Sequence, residues 1–216
     1  MDVLATRPRA ILCDVDGVVR HRDTTLAKTI EDDHGLPNGS IAKAALAPDL
    51  LQQAVTGRLD EHEWLSQATD RLAEVPAARQ RAAAALAEWA RPLGTVDHTV
   101  LGMLATVAQT VPVALLSNGT TRLESDLQDL GVTNVLGTLI NSARIGHAKP
   151  SEEIYRAAAE RLGVPLDQCL LIDDTQSYVD GARRIGMPAV LYSGHESLRR
   201  VLAAVPNPEK AGGAHS

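Results

Sequence analysis

The chain contains no phenylalanine, and aromatic residues make up only 2% of its 216 residues. A core must therefore be built from aliphatic side chains, and few aromatic surfaces are available for stacking against a base or a sugar ring. No run rich in lysine and arginine stands out, and the formal net charge is −6. This balance argues against nucleic acid as a partner, because phosphate backbones are bound by clustered positive charge.

Cysteine and long apolar segments are also scarce. The two cysteines, Cys13 and Cys169, lie in apolar runs, and we expect both to be small buried core residues in a reducing compartment. The N-terminal residues lack the apolar stretch of a secretory signal, and no segment approaches the roughly 20 apolar residues of a membrane span. These absences predict a cytoplasmic protein that does not contact a membrane. They leave its oligomeric state open.

Compact apolar runs alternate with helical patterns in the second half of the chain. The predicted strands cover residues 9–15, 111–117, 135–140, 169–173 and 189–192, and the predicted helices cover 97–109, 121–130, 151–162 and 177–186. Strands that are apolar throughout are typical of a parallel sheet covered on both faces. The sequence therefore predicts an α/β fold.

A long segment without a compact strand follows the first predicted strand. Within it, Asp60 and Glu63 have the spacing of a capping box, and a second helix is predicted over residues 76–90. Trp64 and Trp89 are expected to pack in a small core of this segment. The predicted organisation is a core domain of residues 1–19 and 95–205, a helical domain of residues 20–94, and a flexible tail of residues 206–216.

Polar side chains follow several predicted strands at the point where each strand ends. In open parallel sheets, ligands bind outside the carboxyl ends of the strands, so we expect these side chains to meet at one rim. Clustered carboxylates repel one another unless a cation lies among them, and oxygen ligands without histidine or cysteine suit Mg²⁺. The side chains concerned are Asp14, Asp16, Ser117, Asn118, Asp173 and Asp174, together with Lys149, which precedes a helix.

Four motifs in this order resemble those of the haloacid dehalogenase superfamily, and within it the phosphatase-like members. They are Asp14-Val15-Asp16-Gly17 after an apolar strand, ALLSN with Ser117, Lys149-Pro150 before a helix, and LLIDD with Asp173 and Asp174. The implied fold is a Rossmann-like three-layer core with a parallel sheet, plus a small all-α cap. The insertion after the first motif is similar to the helical cap that closes over the active site in this family.

The resemblance implies a Mg²⁺-dependent phosphoric monoester hydrolase. Its substrate would be a small phosphorylated metabolite, and the reaction would pass through an aspartyl-phosphate intermediate. Asp14 would be the nucleophile and a Mg²⁺ ligand. Asp16 would protonate the leaving group and then activate water, while its backbone carbonyl binds the metal.

The other motif residues are implied to bind phosphate and metal. Ser117 and the backbone N–H of Asn118 would hold the phosphoryl oxygens, and Lys149 would neutralise charge on the nucleophile and the phosphoryl group. Asp174 would be the main further metal ligand, with Asp173 ligating directly or through water. These roles agree with phosphoryl transfer as a reaction catalysed mostly by positioning and charge stabilisation.

Alternative functions stay open at this point. The acid at Asp16 favours phosphate-ester chemistry, since in the family pattern dehalogenases lack an acid there. A sugar-phosphate mutase of the same superfamily would share all four motifs, and a catalytically idle protein that binds a phosphorylated ligand is a further alternative. A signalling receiver domain is disfavoured, because nothing large is inserted after its first strand.

Several charged residues lie outside the motifs. Arg20, His21 and Arg22 could face the phosphate or the substrate, although we favour a solvated hinge that leads into the helical segment. Arg58 could line a substrate pocket and His147, two residues before Lys149, could reach the active site, although we favour a surface position for both.

Overall fold

The computed structural model of the protein describes residues 7–73 and 78–205. The predicted flexible tail, and the predicted start of a helix at Pro76, lie outside the described residues.

Five parallel strands form the main sheet of the described chain, in the order β5-β4-β1-β6-β7, and β2 and β3 form a separate antiparallel pair. The central strand of the main sheet is therefore the first in the chain. Every two adjacent strands in this order pair in parallel, which confirms the predicted α/β fold. The strands are β1 (Ala10–Cys13), β2 (Arg20–His21), β3 (Thr95–Val96), β4 (Val113–Ser117), β5 (Leu139–Asn141), β6 (Cys169–Asp173) and β7 (Ala189–Leu191).

Helices connect the strands and fill the segment between β2 and β3. No helix of the described residues is long and apolar enough to cross a membrane. The helices are α1 (Leu26–Asp33), α2 (Ser40–Ala45), α3 (Pro48–Val55), α4 (Glu61–Leu72), α5 (Arg79–Ala90), α6 (His98–Val107), α7 (Leu123–Asp129), α8 (Ser142–Ile145), α9 (Glu152–Leu162), α10 (Gln176–Arg184) and α11 (His195–Leu202).

Aliphatic side chains fill a core on each face of the sheet. Successive residues of a strand point to opposite faces, so Ile11 of β1 packs with α6, α7 and α11, whereas Leu12 packs with α9 and α10. Both free cysteines are buried in these cores, as predicted. The result is a three-layer arrangement in which the carboxyl ends of the strands form one rim.

The helices α1 to α5 share a core of their own. Trp64 is buried in it and Trp89 packs against it, with the ring centroids 6.1 Å apart in an edge-to-face arrangement, which confirms the expected packing. The capping box is also confirmed, since the Asp60 side chain accepts from the backbone N–H of Glu63 at 2.8 Å, and the Glu63 side chain accepts from that of Asp60 at 2.9 Å. The domain boundaries at residues 20 and 94 stay a prediction.

The strand predicted over residues 135–140 is wrong at its start. β5 begins at Leu139, and the preceding residues turn, with the N–H groups of Val135 and Leu136 both donating to the carbonyl of Val132 at 3.0 Å. Val132 and Leu136 are apolar because they are buried in the core beside α7, not because the backbone is extended.

Candidate active site

Asp14 lies immediately after the central strand. Its N–H donates to the carbonyl of Ile172 at 2.9 Å, which continues the pairing with β6 and fixes the backbone. The side chain is nearly buried, with 5% of the residue exposed. Its Oδ1 accepts from the Val15 N–H at 2.7 Å and lies 2.9 Å from Nζ of Lys149. Burial raises the pKa of Asp14, and the attraction of Lys149 offsets this increase only in part.

Lys149 is buried between two carboxylates. Its Nζ lies 2.6 Å from Oδ2 of Asp173, as well as contacting Asp14, and donates to the carbonyl of Leu116 at 3.1 Å. Although burial lowers the pKa of Lys149, the attraction of the two carboxylates outweighs burial, and the net shift is upward. The ammonium is therefore held in its charged form at the end of the central strands.

Asn118 fixes the segment that carries this lysine. Its side-chain Oδ1 accepts from the backbone N–H of Lys149 at 2.8 Å, and its Nδ2 donates to the backbone carbonyl of Lys149 at 2.9 Å. Both polar ends of the Asn118 side chain are thus occupied. The backbone N–H of Asn118 is the group left to contact a ligand.

Asp173, the last residue of β6, and Asp174, which follows it, have different environments. Asp173 is fully buried, and its Oδ1 accepts from the N–H of Thr175 at 2.9 Å, whereas Asp174 is exposed beside Gly17. Gly17 has a φ of 87°, and a Cβ at this position would lie 1.9 Å from Oδ2 of Asp174. A larger residue here would be strained by the positive φ and would require the Asp174 side chain to move.

Asp16 is paired with Arg20, four residues further on. Nε of Arg20 donates to Oδ1 of Asp16 at 2.7 Å, and NH2 donates to Oδ2 at 2.8 Å. Arg20 is only 1% exposed, so its interpretation as part of a solvated hinge is wrong: the guanidinium is buried by its carboxylate partners. His21 and Arg22 are about half exposed, with 47% and 45% of their side chains accessible.

These side chains surround a cavity of about 450 Å³ at the rim of the sheet. Asp173 lies outside its lining, behind Lys149, and the other predicted site residues line it. The lining consists of Asp14, Asp16, Gly17, His21, Arg22, Thr24, Ser117, Asn118, Lys149, Asp174, Thr175 and Tyr178.

Three lining residues were not predicted from the sequence. Thr175 and Tyr178 lie at the start of α10, directly after the acids of the fourth motif. A helix that begins there has to pass the rim of the sheet, so their distance from the motif is a signal that could have predicted their place in the lining. The Tyr178 ring centroid lies 5.0 Å from Nζ of Lys149, within the range of a cation–π contact. Thr24 precedes α1 and carries no comparable signal in the sequence.

Arg58 and His147 are absent from the described lining of this cavity. Arg58 is exposed, and the imidazole of His147 lies 3.9 Å from the carboxylate of Glu153 at the surface. Both side chains therefore lie away from this cavity in the described chain.

The donor set fits a divalent cation bound through oxygen. One carboxylate oxygen from each of Asp14, Asp173 and Asp174 lies within 4.8 Å of the other two. Three carboxylates against the single ammonium of Lys149 leave two negative charges uncompensated, since Asp16 is neutralised by Arg20. Hard oxygen ligands with this excess charge are the set that Mg²⁺ and Ca²⁺ prefer.

Comparison with known proteins identifies the family. The model of the haloacid dehalogenase-like hydrolases matches residues 8–186. A phosphoglycolate phosphatase of Rhodospirillum rubrum is 27% identical over 197 residues, which cover 86% of this chain and 80% of that protein. A phosphatase of Mycobacterium tuberculosis is 42% identical over 65 residues, or 30% of each chain. A fructose-1-phosphate phosphatase of Escherichia coli is 30% identical over 67 residues, which cover 31% of this chain and 36% of that protein. The chain therefore spans only about a third of the length of the Mycobacterium and Escherichia relatives.

Solved structures share the fold. A HAD family enzyme of Bacteroides thetaiotaomicron, crystallised in complex with magnesium and inorganic phosphate, superimposes with a TM-score of 0.70 at 18% identity. The match covers 86% of this chain and 94% of that one. At this identity the likeness establishes the fold alone. Together with the family match over most of the chain, it shows that the protein belongs to the haloacid dehalogenase-like hydrolases.

Proposed function

We propose that the protein is a Mg²⁺-dependent phosphatase that hydrolyses a small phosphorylated metabolite through a phosphoryl group carried on Asp14. The observation that carries this proposal is the buried Asp14 carboxylate, held 2.9 Å from the Lys149 ammonium at the floor of an open cavity. The phosphatase names of the relatives in Rhodospirillum and Mycobacterium support this activity. The alternatives of a mutase and of an idle binding protein gain no support from them.

In the first step, an oxygen of Asp14 attacks phosphorus and the bond from phosphorus to the leaving-group oxygen breaks. Oδ1 of Asp14 is held by the Val15 N–H and by Lys149, so we expect Oδ2 to attack. Asp16 faces the cavity with 42% of its side chain exposed, so it can take up a proton from solvent, which it would then donate to the departing oxygen. In the second step, Asp16 would accept a proton from water as the water oxygen attacks phosphorus. The bond between phosphorus and Asp14 breaks, which regenerates the Asp14 carboxylate and releases inorganic phosphate.

The remaining lining residues would hold the phosphoryl group. Lys149 would offset its negative charge, and the Ser117 hydroxyl with the backbone N–H of Asn118 would donate to its oxygens. Asp14, Asp174 and the backbone carbonyl of Asp16 would hold Mg²⁺, with Asp173 ligating directly or through water. When bound, the ion would supply charge neutralisation for the phosphoryl group.

We further propose that α1 to α5 act as a cap that selects the substrate. The segment is continuous with His21, Arg22 and Thr24, which line the cavity from its side. A screen of phosphorylated metabolites with Mg²⁺, in which both free phosphate and isomeric products are analysed, would identify the substrate and separate a phosphatase from a mutase.

The experiment that tests the proposed function is the substitution Asp14→Asn, assayed with p-nitrophenyl phosphate. We expect a loss of at least about 1,000-fold in turnover, because the amide cannot form the acyl phosphate, with an unchanged circular dichroism spectrum. Asp49→Asn, at an exposed aspartate of α3, is the matched control and should keep wild-type turnover. Turnover close to that of the wild type in Asp14→Asn would show that the nucleophile is misassigned.

A further inference from the structure

We propose that Arg20 is a positioning residue for Asp16: its buried guanidinium holds both carboxylate oxygens and aims the carboxyl group at the leaving-group oxygen. The inference rests on the proposed phosphatase activity and adds a residue outside the four motifs. A bidentate pair restricts both the position and the rotation of a carboxylate, which a single contact does not.

The backbone between the two residues turns so that Arg20 lies over Asp16. The N–H of Arg20 donates to the carbonyl of Val15 at 2.8 Å, and the N–H of Gly17 donates to the carbonyl of Arg20 at 2.8 Å. Arg20 then pairs with Val96 in the β2–β3 ladder. The guanidinium is therefore attached to a short antiparallel strand pair rather than to a free loop.

A second acid forms a longer ion pair with the guanidinium on its other side. NH1 of Arg20 lies 3.6 Å from Oδ2 of Asp126, and this buried carboxylate lies 2.9 Å from Nε of Arg122. NH2 of Arg122 donates to the carbonyl of Ala90 at 2.6 Å, and its NH1 lies 3.5 Å from Glu61. Alternating charges thus connect Asp16 to the end of α5 and the start of α4.

The placement of this arginine points to the site rather than to stability alone. Burying a guanidinium is costly, and an apolar residue of similar size often stabilises a fold as well or better. Here the buried cation lies against a carboxylate that is itself 42% exposed to the cavity. Each oxygen of Asp16 that accepts from Arg20 keeps a second lone pair, so the held carboxyl group can still exchange a proton with a ligand.

The test is the leaving-group dependence of Arg20→Lys, which keeps the charge but loses the two-pronged contact. We would measure kcat/KM with p-nitrophenyl phosphate and with phenyl phosphate, whose phenol leaves less readily and needs the proton more. Because kcat/KM reports steps up to formation of the phosphorylated enzyme, slow hydrolysis of that intermediate does not mask the effect. We expect phenyl phosphate to lose at least about 10-fold more than p-nitrophenyl phosphate.

Two further variants separate positioning from general damage. Arg71→Lys breaks a bidentate pair at the surface and should leave the ratio of the two kcat/KM values unchanged. In the double variant Asp16→Asn/Arg20→Lys, the ratio should equal that of Asp16→Asn alone, because Arg20 acts only through Asp16.

An unchanged ratio in folded, active Arg20→Lys would overturn the assignment of Arg20 and leave the proposed function standing. If Arg20→Lys does not fold, Asp126→Asn takes its place, since it removes the second negative charge beside the guanidinium while keeping the pair with Asp16. In Asp126→Asn, a larger loss of kcat/KM with phenyl phosphate than with p-nitrophenyl phosphate supports the proposal, and an unchanged ratio of the two values overturns it. A wild-type protein that hydrolyses neither ester would contradict the proposed function itself, and the role of Arg20 with it.

Discussion

The buried ion pairs around Lys149 and the exposed pair between Arg71 and Asp49 have nearly equal lengths. Lys149 lies 2.9 and 2.6 Å from its two carboxylates, and Arg71 donates to Asp49 at 2.9 and 2.6 Å. Their exposure differs: 0% for the Lys149 side chain and 8% and 0% for its partners, against 36% and 68% for Arg71 and Asp49. Water screens the second pair, whereas the first acts at a lower effective dielectric constant.

The two environments shift the pKa of an aspartate in opposite directions. The hydrogen bond from Arg71 lowers the pKa of Asp49 to about 2. Burial raises the pKa of Asp14 despite the ammonium beside it. A short distance to a cation therefore does not by itself mark a functional charge. The proposed site rests instead on several charges that are buried together at the end of a strand.

Removing the Lys149 ammonium should have the largest combined effect on stability and activity. In Lys149→Met, Asp14 and Asp173 stay buried without their cation, so we expect a loss of about 3–5 kcal/mol in the free energy of unfolding. Hydrolysis of p-nitrophenyl phosphate should fall by at least about 100-fold. Arg71→Met, the same change in the exposed pair, should leave activity unaltered and stability nearly so. Urea unfolding and turnover measured on both variants would reject the comparison if the two behaved alike.

Metal removal should act on the site formed by Asp14, Asp173 and Asp174, and not on the exposed pair of Arg71 and Asp49. EDTA is expected to reduce hydrolysis to background and Mg²⁺ to restore it, because two negative charges of the cluster are otherwise uncompensated. Mg²⁺ at about 100 times its Kd should also stabilise the folded protein by about 2.7 kcal/mol. Thermal unfolding of the wild type should show this stabilisation, and that of Asp174→Asn should show much less. Equal stabilisation of both proteins would place the cation elsewhere.

Two glycines with similar positive φ angles offer the comparison with the smallest expected effect. Gly17 and Gly39 have φ of 87° and 80°, but a Cβ at Gly17 would meet Asp174, whereas one at Gly39 would meet nothing within 4 Å. Gly39→Ala should therefore cost only the strain of the left-handed conformation, about 1 kcal/mol, with activity retained. Gly17→Ala should lose activity by about 10-fold or more as well, because the carboxylate of Asp174 must move. Retained activity in Gly17→Ala would show that the position of Asp174 is not critical.

The sheet could be predicted from the sequence because its strands are apolar on both faces. The strand predicted over residues 169–173 is β6 with the same bounds. β1 ends directly before Asp14, and β4 ends at Ser117. Parallel pairing brings these ends to one rim, so polar residues at strand ends predict five of the twelve residues of the cavity lining: Asp14, Asp16, Ser117, Asn118 and Asp174.

The contacts of Arg20 could not be predicted in this way. Its partner Asp126 belongs to α7, far along the chain, and the strands β2 and β3 have only two residues each, too few to show a period. A charged residue in a local pattern is most often at the surface. Its burial here depends on packing between segments that no local pattern brings together.

The most direct test of the central claim is to locate the phosphoryl group on the enzyme during turnover. Asp16→Asn should slow hydrolysis of the phosphorylated enzyme while p-nitrophenyl phosphate still reacts, since its leaving group needs little assistance from an acid. Acid-quenched samples, digested and analysed by mass spectrometry, should then carry one phosphoryl group on the peptide that contains Asp14. That group should be absent from Asp14→Asn/Asp16→Asn. Turnover without modification of this peptide, or with a phosphoryl group on another residue, would contradict the account.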